Sequence, residues 1–185
     1  METLSLWATP LAKINVADQF DMAAWADEVF IMYNMTSGED DSQQFITPEL
    51  FPVMLEMRDQ VITPAVQAFC KEHFNQEMDH YYVETNGKWI VEGEGLYPHL
   101  HPGSTLSAIC YPGDSTNGLN MFDPRFNARR GYPKAMRNHH FANFQISPKK
   151  GDIWIFPSYV QHSVSHVTEE IRLSLLHEYY QTKGL

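Results

Sequence analysis

The sequence predicts an α+β protein: helices first, then a double-sheet β-sandwich of jelly-roll type, with the helices covering one of its sheets. Two observations carry this. Apolar residues recur at helical spacing through the first part of the chain, up to residue 76. Beyond it, short β-type runs alternate with turn residues, and no internal repeat appears. At 185 residues, with 43% hydrophobic and 19% charged content, the chain can bury a substantial core. The expectation is a single domain over 1–185, with an N-terminal strand and helices over 1–76 and the jelly-roll core over 77–185.

The elements follow in order. Leu4 to Val16 reads as a strand and its connection. Asp18 is positioned to cap a helix running to about Tyr33, with Met22, Trp25, Val29 and Met32 or Tyr33 as its apolar stripe. Thr36 to Ser42 is a polar, acidic loop. Thr47-Pro48 opens a second helix carrying Leu50, Met54, Leu55, Val61 and Ile62. Pro64 should kink or split it before the pattern resumes at Ala65, Val66, Phe69, Cys70 and Phe74. Tyr81-Tyr82-Val83 and Trp89-Ile90-Val91 flank Asn86-Gly87, a hairpin signal. Strand-like runs then cover Leu106 to Tyr111, Leu119 to Phe122, Phe141 to Ile146, Asp152 to Phe156, His162 to Val167 and Ile171 to Tyr179.

Charge and cysteines narrow the class. A net charge of −10 argues against nucleic acid as the main partner, because backbone binding needs clustered Lys and Arg. Arg125, Arg129, Arg130, Lys134 and Arg137 form a local basic cluster, which reads as a solvated loop or as an attractor for an anionic substrate. Cys70 and Cys110 fall in a helical and a strand pattern and read as buried thiols without a disulfide. No signal-like segment and no membrane-length apolar run is seen, so a cytoplasmic protein (host cytoplasm if phage-encoded) is expected.

The chemistry concentrates in a few residues. His99 and His101 are two apart, so on a strand they point the same way and can chelate one ion. His162 follows the run Gly151 to Pro157 and would arrive from a strand adjacent in space. Arg172 comes ten residues later, with Ser174 on its face; a guanidinium fork matches a carboxylate in two parallel hydrogen bonds. Three imidazoles with open metal positions and an adjacent carboxylate clamp suit a non-heme iron oxygenase. The plainer readings are a surface His pair beside Pro98 and Pro102, and an ion pair of Arg172 with Glu169 or Glu170. His139 and His140 read as loop or edge residues, His73 and His80 as structural, and His166 and His177 as possible cavity liners. Trp154 and Phe156 read as core, while Tyr97 and Trp89 are open between core and cavity.

The segments Tyr97-Pro98-His99-Leu100-His101-Pro102-Gly103-Ser104 with Leu106-Ser107, Asn120-Met121-Phe122-Asp123-Pro124-Arg125, and Gly151 to Ser158 through His162 and Arg172-Leu173-Ser174 resemble the small bacterial and phage 2-oxoglutarate/Fe(II) oxygenases of the prolyl-hydroxylase-like superfamily. Leu6 to Leu11 resembles the N-terminal strand of that group. The resemblance implies a double-stranded β-helix, Fe(II) and 2-oxoglutarate as cofactors, and O₂ as cosubstrate. It further implies hydroxylation of a small-molecule or peptide substrate with release of succinate and CO₂. By position, His99 and His162 would be metal ligands, and Arg172 would bind the far carboxylate of 2-oxoglutarate, helped by Ser174 and Tyr111.

One departure stands out. The superfamily places a carboxylate two residues after the first His, and here that residue is His101. His101 then completes a three-His site; or His101 is the first ligand and Asp123 supplies the carboxylate; or His101 is first and Gly103 leaves a place for chloride. Two other classes stay open on the same residues: a non-catalytic cupin-like binding module and a zinc-dependent hydrolase, since zinc also favours three imidazoles.

Overall fold

The computed structural model describes residues 9–36, 43–45, 50–115, 118–125, 130–140 and 143–182. Two antiparallel sheets face each other. The larger contains β1 (Ala12–Asn15), β2 (Gln43–Phe45), β3 (Tyr81–Val91), β5 (Leu106–Cys110), β8 (Asp152–Pro157) and β10 (Ile171–Gln181), in the order β1-β8-β5-β10-β3-β2. The smaller contains β4 (Leu96–His99), β6 (Leu119–Met121), β7 (Phe144–Ile146) and β9 (His162–Val164), in the order β4-β9-β6-β7. The strand order skips back and forth along the chain, as a jelly roll requires.

Helices α1 (Met22–Thr36), α2 (Pro52–Met57) and α3 (Thr63–Phe74) cover the outer face of the larger sheet. Strand alternation separates two cores. Trp25, Val29, Met54, Val66 and Phe69 from the helices pack on Ala108, Cys110, Ile153, Ile155, Leu175 and Tyr179. Ile90, Ile109, Tyr111, Phe156 and Leu176 face the opposite way and meet Leu119, Met121, Ile146 and Val164 of the smaller sheet. Trp154 and Phe156 thus join the inter-sheet core, whereas Trp89 packs on the helix side. Cys70 and Cys110 are both buried and unbridged.

Several details differ from the sequence reading. Asp21, not Asp18, caps α1: its Oδ1 accepts from the backbone N–H groups of Ala23 and Ala24 at 3.0 and 3.1 Å. The helix start expected at Thr47-Pro48 lies outside the described residues, as do Leu4 to Trp7 and the acidic loop at 37–42. Within them, α2 opens at Pro52. Its first N–H groups, on Val53 and Met54, donate to the Glu28 carboxylate of α1, each at 2.9 Å. Pro64 lacks an N–H and crowds the preceding turn. The chain accommodates it with a π-helical turn over Arg58–Ile62, where the N–H of Thr63 reaches back to Arg58.

Asn86-Gly87 makes no hairpin. Both residues sit inside the single eleven-residue strand β3, which pairs with β10 along its whole length. Tertiary pairing and the burial of Asn86 outweigh the local turn preference. A short helix α4 (Lys134–His140) takes in His139 and His140, read above as loop or edge.

Candidate metal centre

β4 and β9 are hydrogen-bonded neighbours, and their register sets His99 directly opposite His162. His101 lies just past the end of β4, so simple strand alternation does not place it. Its backbone N–H instead donates to the carbonyl of Ser158 at 3.1 Å, and the N–H of Ser158 returns a bond to Thr105. The buried Ser158 hydroxyl bonds both Ser104 and Ser107 at 2.8 Å. This serine cluster latches the loop after β4 onto the β8–β9 turn and brings His101 inward.

One ring nitrogen from each of His99, His101 and His162 lies within 4.8 Å of the others. Nε2 of His101 and Nε2 of His162 are 3.2 Å apart. Two nitrogens sharing one ion at bond lengths of roughly 2.1 Å and near-right angles stand about 3 Å apart. The tautomers agree with that use. Nδ1 of His99 donates to the Tyr97 carbonyl at 2.8 Å, and Nδ1 of His162 to the Val160 carbonyl at 2.9 Å. Nδ1 of His101 donates to the Glu178 carboxylate at 3.1 Å. Each Nδ1 proton is therefore taken by an oxygen acceptor, and each Nε2 keeps its lone pair for a metal. Burial holds His162 neutral, its pKa down to about 3, and lowers that of His99 too. Neutral imidazoles are the ligand form.

Beside the imidazoles, a partly open pocket runs between the sheets, lined by Lys88, Ile90, Ile109, Tyr111, Leu119, Arg172, Ser174 and Leu176 among others. Arg172 is only 4% exposed. Its Nη2 donates to the Tyr111 hydroxyl at 3.0 Å, and its Nε has no partner. Among the described residues it forms no ion pair, so neither Glu169 nor Glu170 neutralises it. A buried guanidinium with an orphaned donor, lining this pocket, fits an anion. Ser174 is buried two residues on and faces the same cavity. Lys88, opposite Ser174 in register, adds a second cation whose pKa is lowered by burial, with Glu178 opposing the shift.

Other candidates separate from the site. Asp123 is bound by Arg125 at 2.6 and 2.9 Å and is not in the cluster, so it supplies no ligand. Gly103, at φ +88°, is a turn residue, and His99 already fills the third place beside His101 and His162. His177 points to the helix side and His166 is exposed, so neither lines the cavity. Tyr97 is 92% exposed and lies outside it as well. Sequence reasoning missed Glu178, Asn86 and Lys88. Arg172, Ser174, Leu176 and Glu178 share one face of β10, so the period-two step from Arg172 to Ser174, carried two further steps, reaches Glu178.

Residues 88–177 match a family described as "Putative 2OG-Fe(II) oxygenase". Among curated proteins, none matches the sequence. Solved structures with the same fold include HygX from Streptomyces hygroscopicus with nickel and 2-oxoglutarate bound, at 15% identity and TM-score 0.64, covering 94% of this chain and 83% of that one. A Pseudomonas putida prolyl-4-hydroxylase aligns at 15% identity and TM-score 0.65, covering 96% of each chain. The viral collagen prolyl hydroxylase vCPH of Paramecium Bursaria Chlorella virus-1, in its 2OG complex, aligns at 14% identity and TM-score 0.60, covering 94% of this chain and 96% of that one. At these identities the likeness is one of fold.

Proposed function

Because residues 88–177 carry the sequence of the 2OG-Fe(II) oxygenase family, we propose that this chain is a 2-oxoglutarate/Fe(II)-dependent dioxygenase acting on a small-molecule or peptide substrate. The carrying observation is Arg172: a buried guanidinium with an orphaned Nε, lining one pocket with three imidazoles whose Nδ1 protons are already taken.

His99, His101 and His162 would hold Fe(II), a reading supported by their tautomers and by the iron-bound crystal structure of HygX. When bound, ferrous iron couples O₂ reduction to the decarboxylation of 2-oxoglutarate, giving succinate, CO₂ and a hydroxylated C–H. The protein's own residues do the rest. Arg172 binds the distal carboxylate of 2-oxoglutarate, and Ser174 adds a hydroxyl donor on the same face. The Tyr111 hydroxyl holds the guanidinium in place. The apolar walls, Ile90, Ile109, Leu119 and Leu176, exclude water from the reacting centre. A zinc hydrolase or a binding module would also use three imidazoles but leaves a buried, unneutralised Arg172 without purpose.

The test is anaerobic addition of Fe(II) and 2-oxoglutarate, read as a weak visible charge-transfer band and as 2-oxoglutarate affinity. Arg172→Ala should weaken 2-oxoglutarate binding about 10- to 150-fold, the equivalent of a charge-assisted hydrogen bond of roughly 1.5–3 kcal/mol. A wild-type protein that shows no band, together with an Arg172→Ala variant indistinguishable from it, would sink the oxygenase reading.

A further inference from the structure

A divalent ion held by three neutral imidazoles keeps its full double charge. A site of two imidazoles and one carboxylate halves it. In a buried setting that difference is costly unless a nearby anion answers it. The cluster of His99, His101 and His162 contains no carboxylate. Yet one carboxylate is bonded to it. Glu178, 6% exposed, accepts the Nδ1 proton of His101 at 3.1 Å. The other two Nδ1 protons go to neutral backbone carbonyls.

Glu178 is also built in with care. Its Oε2 accepts from the Asn86 amide at 3.2 Å, and its Oε1 from the Tyr180 hydroxyl at 3.4 Å. Its cross-strand partner on β3 is Glu84, a like charge that makes the position less favourable for a carboxylate. Lys88, also on β3, interacts with it electrostatically. A buried carboxylate opposite another carboxylate, spent on an imidazole, is hard to explain by stability alone.

We propose that Glu178 is a positioning residue that delivers, through His101, the negative charge the three-imidazole donor set lacks. The proton shared along Nδ1–H···Oε1 makes His101 a more electron-rich ligand than its two companions. The donor set then behaves as two neutral imidazoles and one that is partly anionic. This rests on the metal reading above, and it explains how His101 stands where the superfamily has a carboxylate.

The experiment compares Glu178→Gln with the wild type for anaerobic Fe(II) and Co(II) affinity by metal competition, alongside the visible d–d spectrum of the Co(II) form. Gln keeps an oxygen acceptor for His101 and removes the charge; it also sets an NH2 against the Asn86 amide, a local cost that does not pass through His101 and that the His101→Ala background measures separately. The proposal expects metal affinity to fall about 10- to 100-fold, with a shifted Co(II) spectrum. It also expects the same substitution to cost much less in a His101→Ala background, where the relay is gone. Wild-type affinity and spectrum in Glu178→Gln would overturn it, because orientation without charge would then suffice. An equal loss in both backgrounds would overturn it too, because the effect would not pass through His101. Failure of the underlying reading looks different: the wild type itself would bind neither metal.

Discussion

Single side chains in this molecule are tuned by what they are denied as much as by what they touch. His177 is fully buried, bonds Thr85 through Nδ1 at 3.0 Å, and leaves Nε2 without a partner. Burial, aided by the charge of Arg58, brings its pKa from 6.5 down to about 3. The folded state thus favours the neutral ring. That contribution is complete above the unfolded value of 6.5 and is lost as pH falls toward 3. For the metal-free protein, urea unfolding at pH 7 and pH 5 should show the acid-side loss of stability shrink by about 2 kcal/mol in His177→Gln. The dependence due to His162, which has the same sign, should remain. An unaltered pH dependence would mean that the His177 ring takes up a proton without leaving the fold. His177 also marks what sequence reasoning can reach at this scale. Nine histidines are present, and the period-two count from Arg172 that reaches Glu178 also puts His177, five residues on, on the opposite face of β10.

At the scale of elements, most strands were legible because each is apolar on at least one face and bounded by turn residues. Leu106–Cys110, Asp152–Pro157 and Ile171–Gln181 fall where alternation and composition put them. The misreadings have physical causes. Asn86-Gly87 offers a tight turn, but Asn86 is worth more as a buried donor to Glu178, and β10 supplies eleven partners in line. His101 is brought in by a loop latch and not by strand pleating, so the right convergence came with an incomplete reason. The short β2 and α4 carry too little periodicity to announce themselves. Between elements, Glu28 ties α1 to the start of α2 by accepting two otherwise unpaired N–H groups. Glu28→Ala should cost about 1–3 kcal/mol in chemical denaturation, because both donors stay behind in a partly buried place. A cost within about 0.5 kcal/mol, the ordinary range of surface substitutions, would show that water replaces the carboxylate there.

For the whole molecule, the sequence carried the order of layers and the identity of the cluster, because both follow from periodicity and residue chemistry. It did not carry how the two sheets close on each other, which depends on pairings between strands far apart in the chain, such as β4 with β9 and β5 with β8. β10 is where the layers meet. Its even-numbered residues, Arg172, Ser174, Leu176 and Glu178, serve the cavity and the imidazoles; its odd-numbered residues, Leu173, Leu175, His177 and Tyr179, serve the helices. One strand therefore has two clients that cannot trade places. Removing a single residue from the middle of β10 would leave Arg172 and Glu178 on opposite faces, so one of them would turn toward Trp25 and Val66 while an apolar side chain from the same half turned toward the imidazoles. Such a deletion should abolish soluble, folded protein, as judged by far-UV circular dichroism and size exclusion. Across the descendants of such a chain, drift in length is then confined to its connections, while this strand accepts change only by replacement or in steps of two.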